Sequence, residues 1–177
     1  MSDGKLVALS TLVAIAEKEV GVREGAGNNN TGKDVVKYQE ATWLTPGSWP
    51  WCAAFTCWVL KEWVKLPDTQ RLLDLTPQTI AKWRCKDASA FGWEKWARKN
   101  NLTVLTEKAL AKKGDFVVFD FSHIGIVTED QKTVKSIIKT IEGNTNGKGE
   151  RDSVKGDGVW RKTRAASLTK SYIRMLT

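Results

Sequence analysis

The chain has 177 residues, 41% hydrophobic and 27% charged, which suits one soluble domain with a sizeable core and excludes a disordered or fibrous protein. Its net charge of +8 favours a polyanionic partner or setting: nucleic acid, a phospholipid surface or an anionic bacterial envelope. Basic residues are scattered, with small clusters at Lys112-Lys113 and Arg161-Lys162-Thr163-Arg164, and no Gly-rich phosphate loop, zinc finger or RNP-type motif accompanies them. Residues 1–177 therefore read as one domain, with no specific nucleic-acid site.

Residues 5–20 place Leu6, Leu9, Val13, Ala16 and Val20 on one helical face before Gly21 stops the pattern. Lys5 and Ala14-Ile15-Ala16 mimic a signal peptide and its cleavage site, but Asp3 and Ser10-Thr11 interrupt that pattern and favour a structural helix. The apolar run is too short to span a bilayer. Synthesis in the cytoplasm without a leader, and no stable membrane insertion, are the expectations. The loop Gly25-Ala26-Gly27-Asn28-Asn29-Asn30-Thr31-Gly32 tolerates left-handed backbone angles, and a short helix is expected over Asp34–Ala41.

A turn, Thr45-Pro46-Gly47-Ser48-Trp49-Pro50, then feeds a helix from Cys52 to about Val64, with Pro50 placed in its first turn. That helix is apolar nearly all round, so it should be central and buried. A second, weaker helical region spans Thr79–Asn100. From residue 103 the period changes to two, giving strands at Thr103–Leu105, Phe116–Phe121, His123–Glu129, Val134–Glu142, Val159–Thr163 and Ser171–Leu176. Helices first and strands later predict an α+β fold with an antiparallel sheet.

His123 is the sole histidine, so acid–base chemistry near neutral pH falls to that imidazole. A thiol is nucleophilic as thiolate, a form favoured by a helix N-terminus and by an adjacent imidazolium. Cys52 sits at such a helix start, where a free backbone N–H can also face a developing oxyanion. Glu142 is the best residue by type to orient the ring, and Asn144 can add a hydrogen bond or serve the oxyanion site. Three cysteines argue against a disulfide framework. Zinc on Cys52 and Cys57 is disfavoured because residues five apart on a helix point about 140° away from each other. Cys57 and Cys85 read as small core residues. Of the nine tryptophans, Trp43, Trp49, Trp51, Trp58 and Trp63 crowd around Cys52. Core packing explains most of them, while Trp49 and Trp51 suit either core or a groove for sugar or peptide faces.

Trp49-Pro50-Trp51-Cys52-Ala53-Ala54-Phe55, Lys113-Gly114-Asp115-Phe116-Val117-Val118-Phe119 leading to Ser122-His123-Ile124-Gly125-Ile126-Val127, and Ile141-Glu142-Gly143-Asn144-Thr145 together resemble the CHAP family. These are cysteine, histidine-dependent amidohydrolases/peptidases of the NlpC/P60-like, papain-related group. Glu19-Val20-Gly21-Val22-Arg23-Glu24 followed by Gly27-Asn28-Asn29-Asn30 resembles a phage-associated branch. The resemblance implies a papain-like/NlpC-P60-like fold, with N-terminal helices, including a nucleophile helix, packed on a small antiparallel sheet. It implies cleavage of a peptidoglycan amide by a thiol mechanism, with Cys52 as nucleophile, His123 as general base, Glu142 as orienting residue and Asn144 as a fourth polar member. Trp49, Trp51 and Asn29 are the candidates for substrate contact. Some relatives bind calcium before the cysteine, but Gly25–Asp34 holds one acidic residue and no EF-hand pattern, so neither metal nor cofactor is expected. A monomeric phage endolysin acting on the cell wall is the first expectation. The alternatives are a secreted interbacterial amidase effector, or a non-catalytic wall- or nucleic-acid-binding module with Cys52 inert.

Overall fold

A computed structural model of the chain describes residues 2–147 and 156–177. Six helices come first: α1 (Asp3–Glu17), α2 (Lys33–Gln39), α3 (Cys52–Trp63), α4 (Pro67–Leu72), α5 (Pro77–Trp83) and α6 (Ala90–Lys99). Six strands follow: β1 (Thr103–Thr106), β2 (Phe116–Phe119), β3 (His123–Val127), β4 (Ile138–Thr145), β5 (Gly158–Arg164) and β6 (Thr169–Arg174). They form one sheet in the order β1-β6-β2-β3-β4-β5, with every neighbouring pair antiparallel. This is an α+β architecture. Among the described residues no helix is long and apolar enough to cross a membrane.

The all-round apolar character of α3 has its expected consequence. Its Cys52, Ala53, Ala54, Phe55, Thr56, Cys57, Val59, Leu60 and Trp63 are all buried, and it packs against α1, α2, β3 and β4. Trp63 ties it to α1 by donating its indole N–H to the Ala8 carbonyl at 2.8 Å. Strand alternation divides the sheet's apolar residues between two cores. Phe116, Val118, Ile124, Ile126, Ile141 and Ile173 join α3 in the larger one. Val117, Phe119, Val127, Ile138 and Tyr172 form a smaller cluster on the other face.

Two expectations need correction. The strand expected over Val134–Glu142 begins only at Ile138, after a turn at Val134 and Lys135, and runs on to Thr145. The single helical region over Thr79–Asn100 is divided into α5 and α6, because Arg84 is extended (φ −59°, ψ 144°) and Cys85 turns into the core. The Arg84 guanidinium fixes that break by donating to the Ala41 carbonyl at 2.6 Å. The helix α4 was not foreseen. Pro67 at its first turn supplies a start signal, and Asp68 and Arg71 pair across one turn at 2.9 Å.

Candidate active site

The site assembles from the start of α3, the start of β3 and an irregular stretch of β4. Helix α3 begins at Cys52 itself, with Trp51 as its half-in flanking residue, so Pro50 lies just outside the first turn where the sequence placed it. As the first helical residue, Cys52 has a backbone N–H with no intrahelical partner. Trp51, a candidate for substrate contact, lies in the core and does not line the cleft. Its ring is fully buried, stacks on Tyr38 with centroids 5.4 Å apart, and donates its N–H to Glu24 Oε1 at 2.8 Å. A buried indole needs an acceptor, and Glu24 supplies it. Glu24 Oε2 in turn accepts the Asn30 N–H at 2.8 Å, so one carboxylate connects the Asn-rich loop to the residue preceding Cys52.

The close approach of α3 to the sheet explains Gly143. A Cβ there would lie 2.6 Å from Phe55 Cβ and 2.8 Å from the Trp51 ring. On β3, the residue Gly125 serves Glu142 in the same way, since a Cβ would fall 2.6 Å from Glu142 Cγ. The two glycines in Ser122-His123-Ile124-Gly125 and Ile141-Glu142-Gly143 are thus clearances around the site.

His123 opens β3 directly after Ser122, which holds a left-handed φ of 60°. Its Nε2 lies 2.8 Å from Glu142 Oε2. The ring stacks on Phe121 (5.7 Å, 10°) and Phe119 (6.1 Å, 24°), which fix its plane. The Cys52 sulfur lies near enough to act electrostatically on this ring, and both residues line the same cleft. With Nε2 facing Glu142, Nδ1 is the ring nitrogen left for proton exchange with the sulfur. Burial opposes a charge on the ring, but the Cys52 sulfur and then Glu142 outweigh it and raise the His123 pKa to about 9.

Glu142 is fully buried and fully engaged. Oε1 accepts from the Thr140 hydroxyl at 2.6 Å and from Arg164 Nε at 3.0 Å; Oε2 accepts from Arg164 Nη2 at 2.5 Å and faces His123. Burial pushes this carboxyl upward, yet the His123 and Arg164 contacts prevail and hold it down at about 2. An ionised Glu142 fixes the ring hydrogen on Nε2, leaving Nδ1 to exchange a proton with Cys52.

Arg164 is the residue that sequence reasoning missed. It was counted in a basic surface cluster, but its side chain is fully buried, with the guanidinium 5.5 Å and 5.6 Å from the Phe119 and Phe121 centroids. The available signal was strand alternation: Arg161 and Thr163 are exposed on β5 while Lys162 and Arg164 point inward.

Cys52 and His123 open onto a cleft of about 650 Å³. Trp49, exposed Trp43, Phe121, Asn28, Asn30 and Asn144 contribute to its walls. Asn144 takes a left-handed φ of 53° where the β4–β5 register shifts, and this turns the chain toward the cleft. Asn29 does not line it; its side chain accepts from the Thr31 hydroxyl, and its two neighbours face the cleft instead. Cys57 is apart from this chemistry, contacting Cys85 and directing Sγ at the Asp87 carbonyl at 3.5 Å. No three His, Cys, Asp or Glu side chains converge as a metal site among the described residues. Comparison with models of known protein families finds no match, and no curated protein matches the chain.

Proposed function

We propose that the protein is a thiol amidohydrolase of peptidoglycan, built on a papain-like scaffold. The observation that carries this reading is that Cys52, at a helix start, and His123, its ring held by the buried Glu142 carboxylate, open onto one cleft. The nucleophile is Cys52, which gives its proton to His123 Nδ1. Sulfur attacks the scissile carbonyl carbon while the Cys52 N–H faces the oxyanion. Collapse breaks the C–N bond, and the imidazolium delivers its proton to the leaving amine. Neutral His123 then takes a proton from water, whose oxygen attacks the thioester and releases the acid and the thiolate. Asn144, at the cleft, is placed to donate to the substrate.

The bond class rests on the motif resemblance and on the cleft's aromatic and amide walls, which suit sugar and peptide faces. A net charge of +8 favours residence at an anionic envelope. A phage endolysin is the role proposed; an immunity gene beside the coding sequence would point instead to an interbacterial amidase effector. A non-catalytic module offers no reason for a buried carboxylate to orient a ring against a sulfur.

The test is mass spectrometry of soluble products from purified sacculi. The expected result is new fragments, each amide cleavage adding one water and exposing one amine. Sacculi left unchanged across several wall chemotypes would defeat the proposal.

A further inference from the structure

We propose that Glu24 is a positioning residue whose single carboxylate holds the Asn28–Asn30 wall of the cleft and the start of the nucleophile helix in register. The inference rests on the amidohydrolase reading and adds to its machinery a side chain that does not itself line the cleft. Glu24 is buried, and it makes no ion pair among the described residues. Its oxygens instead serve two neutral donors from different parts of the chain. Oε1 accepts the Trp51 indole N–H and Oε2 accepts the Asn30 main-chain N–H, each at 2.8 Å. Burying a carboxylate without a cation beside it is costly, and a single acceptor could be supplied more cheaply by a neutral amide. Two acceptor atoms aimed at two donors are what glutamine cannot supply.

Each donor leads into the site. Trp51 flanks the first turn of α3, and its carbonyl accepts the Phe55 N–H at 2.9 Å. The position of Trp51 therefore sets where the helix begins, and with it the adjacent Cys52. On the other side, Asn28 and Asn30 line the cleft, both at left-handed φ (45° and 62°). Such angles persist where surrounding contacts hold them. Gly25 N–H closes the base of this loop on the Thr31 carbonyl at 2.7 Å, and Gly32 comes so close that a Cβ there would lie 2.7 Å from Gly25 N. The Glu24 main-chain N–H is itself tied to the Asp157 carbonyl at 2.8 Å. One anchored carboxylate thus joins the loop that walls the cleft to the helix that carries the sulfur.

Glu24→Gln is nearly isosteric but leaves an N–H₂ group facing one of the two donors. With soluble disaccharide-peptides released from sacculi by a muramidase, kcat/KM should fall about 10²-fold, with KM rising about tenfold. Rates are normalised to the folded fraction from a thermal melt. A purely structural role lowers that fraction and leaves KM unchanged. Adding Trp51→Phe removes one donor and frees the amide oxygen for Asn30. The double variant should then show a wild-type-like KM and a low kcat, even where the single variant folds poorly. An unchanged KM in folded Glu24→Gln, or a raised KM in the double variant, overturns the proposal. Alkylation of Cys52 by iodoacetamide reads the helix start without a wall substrate, since Cys57 and Cys85 are fully buried. Its rate should fall about tenfold in Glu24→Gln, and a rate equal to that of the wild type overturns the proposal. Wild-type protein that releases nothing from sacculi removes the hydrolase reading, and the alkylation rates then decide the role of Glu24 by themselves.

Discussion

Cys52→Ala will lower amide hydrolysis by about 10⁴-fold or more while leaving the fold in place. No other thiol can take over. Cys57 and Cys85 are fully buried, and burial together with the neighbouring Cys85 holds the Cys57 thiol well above its ordinary range. The fold should tolerate the change because Cys52 sits at the edge of the main core, where it opens onto the cleft. Removing it is expected to shift stability by less than about 1 kcal/mol. Product release from sacculi and a thermal melt check the two halves. A Cys52→Ala protein that still solubilises sacculi would end the nucleophile assignment.

Glu142→Gln has the second large effect, and it acts on stability and catalysis by different routes. Removing the carboxylate charge strands the Arg164 guanidinium in a fully buried site, a loss of about 3–5 kcal/mol. The amide can also donate to His123 Nε2, which moves the ring hydrogen to Nδ1, the wrong side for accepting the Cys52 proton. An equivalent tautomer error in a serine protease lowers kcat by about 10⁴-fold, and a similar fall is expected here. Combining Glu142→Gln with Arg164→Met removes the stranded charge and should recover part of the stability but none of the activity. Unchanged denaturation of the single variant would show that the pair carries little, and recovery of activity in the double variant would refute the tautomer argument.

The same two groups set a pH window. Glu142 is depressed to about 2, so its contribution to stability is present above its usual range near 4.5 and fades as pH falls toward 2. His123 is raised to about 9, so its contribution is complete below 6.5 and is lost as pH rises through 9. Between about pH 4.5 and 6.5 both favour the folded state in full.

Much of this site was legible because its residues sit at transitions in pattern. Cys52 stands where a Pro-rich turn becomes an apolar run, and His123 where a strand restarts after Ser122. Their pairing with Glu142 needed only antiparallel strands and period two. What escaped has a common physical origin. Arg164 looked like a surface cation because burial of a guanidinium depends on a carboxylate 22 residues away, which local pattern does not reveal. Trp51 looked available to substrate because its acceptor, Glu24, lies 27 residues upstream. The break between α5 and α6 depends on the contact of Arg84 with Ala41, 43 residues away. Pro67 and Pro77 open α4 and α5, but neither was read as a helix start, because the weak amphipathic pattern after each did not set it apart from a loop.

The central claim is that the Cys52 sulfur and the His123 ring form one coupled acid–base unit. Since His123 is the protein's sole histidine, its imidazole resonances can be followed without overlap through an NMR pH titration. The wild-type ring should titrate near 9, and in Cys52→Ala, with the leading upward influence removed, the midpoint should fall clearly below that value. A midpoint near the ordinary 6.5 in the wild-type protein, unmoved by Cys52→Ala, would contradict the account.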